Sequence, residues 1–192
     1  MTGKTHDLAA ATALGVLAYT VPAGHLNVST VIAAIFSNQI GGIFPDIDQP
    51  TAPLWRNLPI GSLFGKIVGK SLGGHRHFSH SLLGMALFGF LAKYALTFLT
   101  PVLGHIDTGY VWWAFMIGYL SHLVMDTLTK EGVPWLLPIP LKFGFPPLRA
   151  LRITAGKSVE FLGVIPALIA FNIWFYSDHY GQITLLIHSL QR

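Results

Sequence analysis

Apolar residues gather into five stretches long enough to suggest a membrane protein: Leu8 to Pro22, Val28 to Phe44, Leu82 to Val102, Tyr110 to Leu128 and Phe161 to Tyr176. A helix needs roughly 20 residues to cross the hydrocarbon layer, and by that measure the first, second and fifth stretches are short. They are expected to tilt little, to borrow interfacial residues or to cross incompletely. Between the second and third, Ile60, Leu63, Phe64, Ile67 and Val68 recur at helical spacing while Lys66 and Lys70 project elsewhere. That spacing predicts an amphipathic helix, lying in the membrane plane or packed on the bundle. Pro134 to Leu148 is rich in proline and in apolar residues, among them Trp135, Ile139, Phe143 and Phe145. Prolines remove backbone donors and clash with the preceding turn, so a hairpin or extended loop resting on the headgroups is expected there, with Trp135 as an anchor.

The pattern predicts an all-α fold: a polytopic membrane helical bundle of about five transmembrane helices, with an interfacial amphipathic helix and a Pro-rich cytoplasmic loop. Residues 1–192 are read as a single integral membrane domain without internal repeats. Composition agrees, because 52% hydrophobic and 10% charged residues, with a mean hydropathy of +0.56, depart far from the roughly one-quarter charged content of soluble domains. The first stretch lacks a small-residue cleavage site behind Lys4 and is read as uncleaved. There is no cysteine, which excludes disulfides and thiolate metal sites. Any metal must be held by nitrogen and oxygen, which favours zinc, manganese, iron or magnesium.

The net charge of +4 is modest, and the basic residues fall in particular loops, a pattern of membrane orientation rather than nucleic-acid binding. Arg56, Lys66, Lys70 and Arg76 lie between Pro45 and Ser79; Lys130, Lys142, Arg149, Arg152 and Lys157 lie between Thr129 and Ser158. The connections Ala23 to Asn27 and Gly104 to Gly109 have no lysine or arginine. Five crossings then put the N-terminus and both basic stretches in the cytoplasm and the C-terminus outside.

That topology brings His6, Asp46, Asp48, His75, His80, His122, Asp126 and Glu160 to one edge of the bundle. His122 and Asp126, four residues apart on a helix, share a face and can offer two ligands to one metal. Ionisable groups near a membrane helix end point to function unless they merely tie helices together. His75, His77 and His80 surround Arg76 just after Gly73 and Gly74, with Ser79 placed to cap the next helix. Arg76 is shaped to grip a phosphate or carboxylate through paired hydrogen bonds. In the stretch from Pro45 to Asp48, Asp46 is the stronger ligand candidate, and Asp48 can coordinate or orient a histidine. His6 gains weight only from the topology. Glu160 is a general base, a ligand, or an acid favoured by a helix dipole. His25, His105, His179 and His188 fall at the opposite face or in the tail.

The succession Thr5-His6, Pro45 to Asp48, Gly74 to Arg76 through His80-Ser81, Ser121-His122 with Asp126, and Leu137-Pro138 resembles the bacterial membrane-bound metal-dependent hydrolases that include the LexA-regulated inner-membrane group. The likeness runs in order over nearly the whole chain. It implies residence in the bacterial inner membrane and a ligand set of His6, Asp46, His75, His80, His122 and Asp126. More distantly, the His-to-Asp helix step is similar to that of zinc-dependent phospholipase C and related single-strand nucleases, which implies phosphoester chemistry. The expected cofactor is a divalent metal, zinc first, with manganese or magnesium as alternatives. Such an ion lowers the pKa of a bound water from about 16 towards about 7. Asp48 or Glu160 would accept its proton, and Arg76 would hold a substrate phosphate, with Arg149, Arg152 or Lys157 assisting. The expected partners are membrane lipids and an amphiphilic phosphoester. Two alternatives are a metal transporter, whose ligands belong near the midplane with access from both sides, and a non-catalytic lipid-binding scaffold.

Overall fold

A computed structural model describes residues 1–20, 26–56, 58–139 and 141–190. Pro22, at the end of the first apolar stretch, and His25 lie outside the described residues. The chain forms α1 (Gly3–Tyr19), α2 (Val28–Ile43) running into a 3-10 turn (Phe44–Asp48), α3 (Pro53–Arg56), α4 (Gly61–Ser71), a second 3-10 turn (Phe78–His80), α5 (Leu82–Leu99) and α6 (Thr108–Thr127). A further 3-10 turn (Arg149–Leu151) precedes a π-helical turn (Glu160–Val164) that continues as α7 (Ile165–Asp178), and α8 (Tyr180–Leu190) follows. No strand forms among the described residues, so the fold is all-α as expected. Polar side chains set three of the helix starts by accepting first-turn N–H groups: Asn27 from Thr30 at 2.8 Å, Ser81 from Gly84 at 3.0 Å and Asp107 from Tyr110 at 2.9 Å. Ser81, not the expected Ser79, therefore caps α5.

α6 is the central helix, packed by α2, α1 and α5. Its crossing with α2 is unusually close because glycines meet there. A Cβ on Gly41 would stand 2.1 Å from the Phe115 carbonyl oxygen, and one on Gly118 would stand 2.2 Å from that of Asn38. Small residues let membrane helices approach until backbone and side-chain hydrogen bonds cross between them. Asn38 accordingly donates to the Ala114 carbonyl at 3.0 Å and Ser37 to that of Val111 at 2.9 Å. Below the crossing, Phe115, Tyr119, Leu123 and Val133 form a buried core with Phe44 and Phe88 around it.

Three helices, not the five expected, are long and apolar enough to cross a membrane among the described residues: Val28–Asp48, Leu82–Leu99 and Glu160–Asp178. α1 is 17 residues, short of a crossing. α6 has 20 residues but carries Ser121, His122 and Asp126 and is enclosed by its neighbours, so it need not be apolar all round. α5 and α7 show the opposite character, with Phe90, Phe98, Ile173 and Trp174 pointing outward, the surface a lipid-facing helix needs.

α4 packs on the bundle, one of the two arrangements expected of it, and keeps an exposed apolar side. Gly61, Gly65 and Gly69 face the bundle so closely that a Cβ on Gly69 would lie 2.4 Å from the Asp48 carbonyl oxygen. Leu63, Phe64 and Ile67 are exposed on its other side. The Pro-rich segment is an extended loop, pinned by paired Val133–Phe143 backbone bonds of 2.8 Å and by Phe145 N–H donating to the Thr127 carbonyl. Trp135 is half-buried against the core and donates to the Thr127 hydroxyl at 2.9 Å. It packs on the core, whereas Ile139 and Phe145 are exposed.

Candidate metal centre

The close α2–α6 crossing fixes the first imidazole. His122 Nδ1 donates to the Gly42 carbonyl at 2.6 Å, because a carbonyl can only accept. In the neutral ring the lone pair is then on Nε2. That atom lies 3.7 Å from Asp126 Oδ2 and 3.6 Å from Asp46 Oδ1. His6 stacks on the same ring, with centroids 3.7 Å apart and planes 8° from parallel, and its Nε2 is 3.3 Å from Asp126 Oδ1. The Met1 amino group contacts both His6 Nε2 and Asp126.

His80 enters from the 3-10 turn before α5 rather than from the first turn of the helix. Its Nδ1 faces Asp48 Oδ2 at 3.2 Å, and its Nε2 is 3.7 Å from both Asp46 Oδ1 and Asp126 Oδ2. His80 and His122 are fully buried, yet neither Nε2 has a hydrogen-bond partner. Two lone-pair nitrogens therefore converge on the same two carboxylate oxygens, an arrangement that is repulsive until a cation lies between them. The donor set, imidazole and carboxylate without thiolate, suits zinc, manganese or magnesium. Three overlapping sets of ligand atoms can hold an ion: His6, His122 and Asp126; Asp46, His80 and His122; and Asp46, Asp48 and His75. His122 and Asp46 link them into one continuous chain.

Asp48 is buried and accepts from His75 Nδ1 at 2.9 Å, the Arg76 backbone N–H at 3.0 Å and the Ser79 hydroxyl at 2.6 Å, besides facing His80 Nδ1. A carboxylate offers about four acceptor positions, so an ion in the third set would have to compete with these donors for Asp48. It stands behind the histidines and sets which ring nitrogen each turns outward. Burial lowers the pKa of His75, but the hydrogen bond and charge of Asp48, with the charge of Asp46, outweigh it and hold the ring above its ordinary value. Arg76 is also buried. Its Nη2 is 2.8 Å from Asp126 Oδ2 and its Nη1 donates to Thr129 at 2.7 Å, leaving Nε without a partner. Its backbone is left-handed, φ +57°, a conformation that costs a residue with a Cβ about 1–2 kcal/mol. The Asp48 bond to its N–H helps hold that turn.

Glu160 is buried but engaged elsewhere. Its carboxylate accepts from the Thr2 N–H and hydroxyl, both at 2.7 Å, from Thr5 at 2.5 Å and from the Gly156 N–H at 2.7 Å. It belongs to none of the three ligand sets and instead ties the start of α1, which carries His6, to the start of α7. His77 is exposed and also outside the sets. Arg152 donates to the Pro146 and Pro147 carbonyls at 2.8 and 3.0 Å and so braces the Pro-rich loop. Sequence reasoning did not find the roles of Gly42, Ser79, Tyr119 and Thr129. Tyr119 donates to the Ser79 carbonyl at 2.5 Å and secures the turn that carries His80. The pairing of Gly41-Gly42 with Gly118 was the one available signal, since it marks where two helices touch.

A protein whose described residues are all-helical, with three membrane-length helices among them and a buried histidine–carboxylate cluster at one end, is an integral membrane protein with a candidate metal centre. A family model described as YdjM inner membrane protein matches residues 1–183, and the chain belongs to that family. YvsG of Bacillus subtilis (strain 168) is 31% identical over 183 residues, covering 95% of this chain and 99% of YvsG. The inner membrane protein YdjM of Escherichia coli (strain K12) is 33% identical over 137 residues, 69% of this chain, and the match spans 61% of the Escherichia coli protein. The Shigella flexneri YdjM gives the same figures. No solved structure matches the chain. The family and the three apolar helices make this an inner membrane protein.

Proposed function

We propose that the protein is a membrane-embedded, metal-dependent hydrolase acting on a phosphoester of a lipid or lipid-linked molecule. The observation that carries this reading is the pair of buried, unpartnered Nε2 atoms of His80 and His122 aimed at the oxygens of Asp46 and Asp126. Charge supports it too. The Arg76 guanidinium and the Met1 amino group both lie on Asp126, which leaves Asp46 without a cationic side chain other than the histidines beside it. A divalent ion bound there supplies Lewis acidity and a water of lowered pKa. His80, His122, Asp46 and Asp126 would hold it, with His6 and His75 on either flank. Asp48 keeps the Nδ1 atoms of His75 and His80 occupied and thereby directs each Nε2. Asp46 is the one carboxylate of the three without a hydrogen-bond donor among the described residues, which leaves its oxygens free to hold the ion. The Nε–H of Arg76, buried and without a partner, would donate to a phosphate oxygen that entered the cluster. An amphiphilic substrate is favoured because the exposed apolar side of α4 lies over the segment that carries Asp46 and Asp48.

The test begins with elemental analysis of protein purified without chelator, followed by turnover of phosphoesters that do or do not carry acyl chains. Stoichiometric zinc or manganese in the wild type, its loss in His122→Ala and Asp126→Ala, and metal-dependent release of phosphate or headgroup from a lipid substrate are expected. Wild-type protein that stays metal-free when supplied with each ion would sink the hydrolase. Metal uptake into proteoliposomes without hydrolysis would instead identify a transporter.

A further inference from the structure

We propose that the end of the bundle remote from the metal centre holds a second site, a seat for the phosphate headgroup of a glycerophospholipid, built around Lys93. Lys93 is the one charged residue of α5, a helix long and apolar enough to cross a membrane. A charge inside such a helix is expensive and calls for a partner. No carboxylate pairs with Lys93 among the described residues; its ammonium stands 5.5 Å from the ring centre of Trp112, whose own N–H is fixed by the Gly89 carbonyl at 2.7 Å. A cavity of about 360 Å³ opens beside it, lined by Lys93, Leu96, Thr97, Thr108, Trp112 and Trp113. α5 starts next to His80 and α6 ends at the metal ligands, so the start of α6 at Thr108 and the far part of α5 lie at the other end. Lys93 is six residues from the end of α5, about 9 Å at the helical rise, within reach of a headgroup layer for a flexible lysine stem. The chemistry fits a phosphodiester with acyl chains attached: an ammonium for the phosphate, the Thr108 hydroxyl as donor, and tryptophan and leucine walls for the glycerol and upper chain. A free phosphate would leave those apolar walls without use.

Native mass spectrometry of delipidated protein, with lipids added at fixed concentration, tests the assignment. Wild type should retain phosphatidylglycerol at least tenfold better than Lys93→Met, while Lys93→Arg keeps most of the retention. Diacylglycerol of the same chain length and inorganic phosphate should not be held. Equal retention by wild type and Lys93→Met, or inorganic phosphate that binds wild type and displaces the lipid, overturns the proposal. If Lys93→Met unfolds, Thr108→Val serves in its place, with a several-fold loss of phosphatidylglycerol expected and an unchanged affinity counting against the site. Removal of bound metal with a chelator should leave this retention intact, which keeps the two sites experimentally separate.

Discussion

At one end of the α5–α6 pair, His80, His122 and Asp126 are completely enclosed and linked through Arg76, Asp46 and Asp48 into a network. At the other end Lys93 is exposed, alone, and leans on a tryptophan ring. Both ends place charge within a membrane bundle, but the energetics differ. Buried charges are tolerable only as a set, because each removal strands the others in a low dielectric. A single lysine near a helix end lowers its penalty by reaching towards the headgroups. Damage at the first end should therefore propagate, and damage at the second should stay local.

The largest expected effect is that of Asp126→Ala, which removes the carboxylate partner of Arg76 Nη2 and of the Met1 amino group. Breaking one partner out of a buried pair costs about 3–5 kcal/mol, so thermal unfolding in detergent should show a marked loss of stability. Lys93→Met, measured the same way, should change stability little. If the two variants lose equal stability, the contrast between the ends is wrong. Metal removal should come next. At a metal concentration 100-fold above its dissociation constant, binding stabilises the folded state by about 2.7 kcal/mol, which chelation abolishes. Hydrogen exchange should then quicken around His122 and Asp126 while the start of α6 near Thr108 keeps its protection. Uniform loosening along α6 would deny that the metal acts at one end only.

A third, smaller effect is expected from the helix crossing. Gly118→Ala places a Cβ against the Asn38 carbonyl and forces α2 and α6 apart, a strain of about 1–3 kcal/mol. It should weaken metal binding as well, because the same crossing presents the Gly42 carbonyl to His122. Gly163→Ala meets no atom within 4 Å and serves as the silent control. Loss of stability with undiminished metal affinity would show that the crossing does not position the ring.

Much of this was readable in the chain, for reasons that also explain what was not. Helical periodicity set the four-residue step from His122 to Asp126, and hydropathy located the helices, so the convergence of His6, Asp46, His75, His80, His122 and Asp126 followed from threading those helices to a common edge. Hydropathy could not distinguish a helix apolar because lipid surrounds it from one surrounded by protein, and α6 was therefore counted as a crossing on the same footing as α5. Roles within the cluster were harder still. Asp46 and Asp48 are two residues apart and chemically identical, and only the donors gathered around Asp48 separate an orienting carboxylate from a free one. Arg76 carries a charge suited to phosphate, but its Nη2 already faces Asp126, a contact no local pattern announces.

Glu160 gives the smallest predicted effect and the sharpest test of how far the network extends. Its four acceptor contacts join Thr2, Thr5 and Gly156, so it acts on the metal centre only through the position of His6. Glu160→Gln keeps an oxygen for the Thr2 and Thr5 donors but loses the charge, and turns an amide N–H₂ towards the Gly156 N–H. One weakened charged hydrogen bond corresponds to a loss of stability on the order of 1 kcal/mol. Metal content should hold, and turnover of a lipid phosphoester should fall no more than a few-fold. A general base at this position would instead make the same substitution lower turnover by about 100- to 10,000-fold with stability nearly unchanged. Stability and turnover measured on one preparation thus separate an anchor from a base, and only the anchor result agrees with placing the proposed chemistry wholly in the charged cluster at α6.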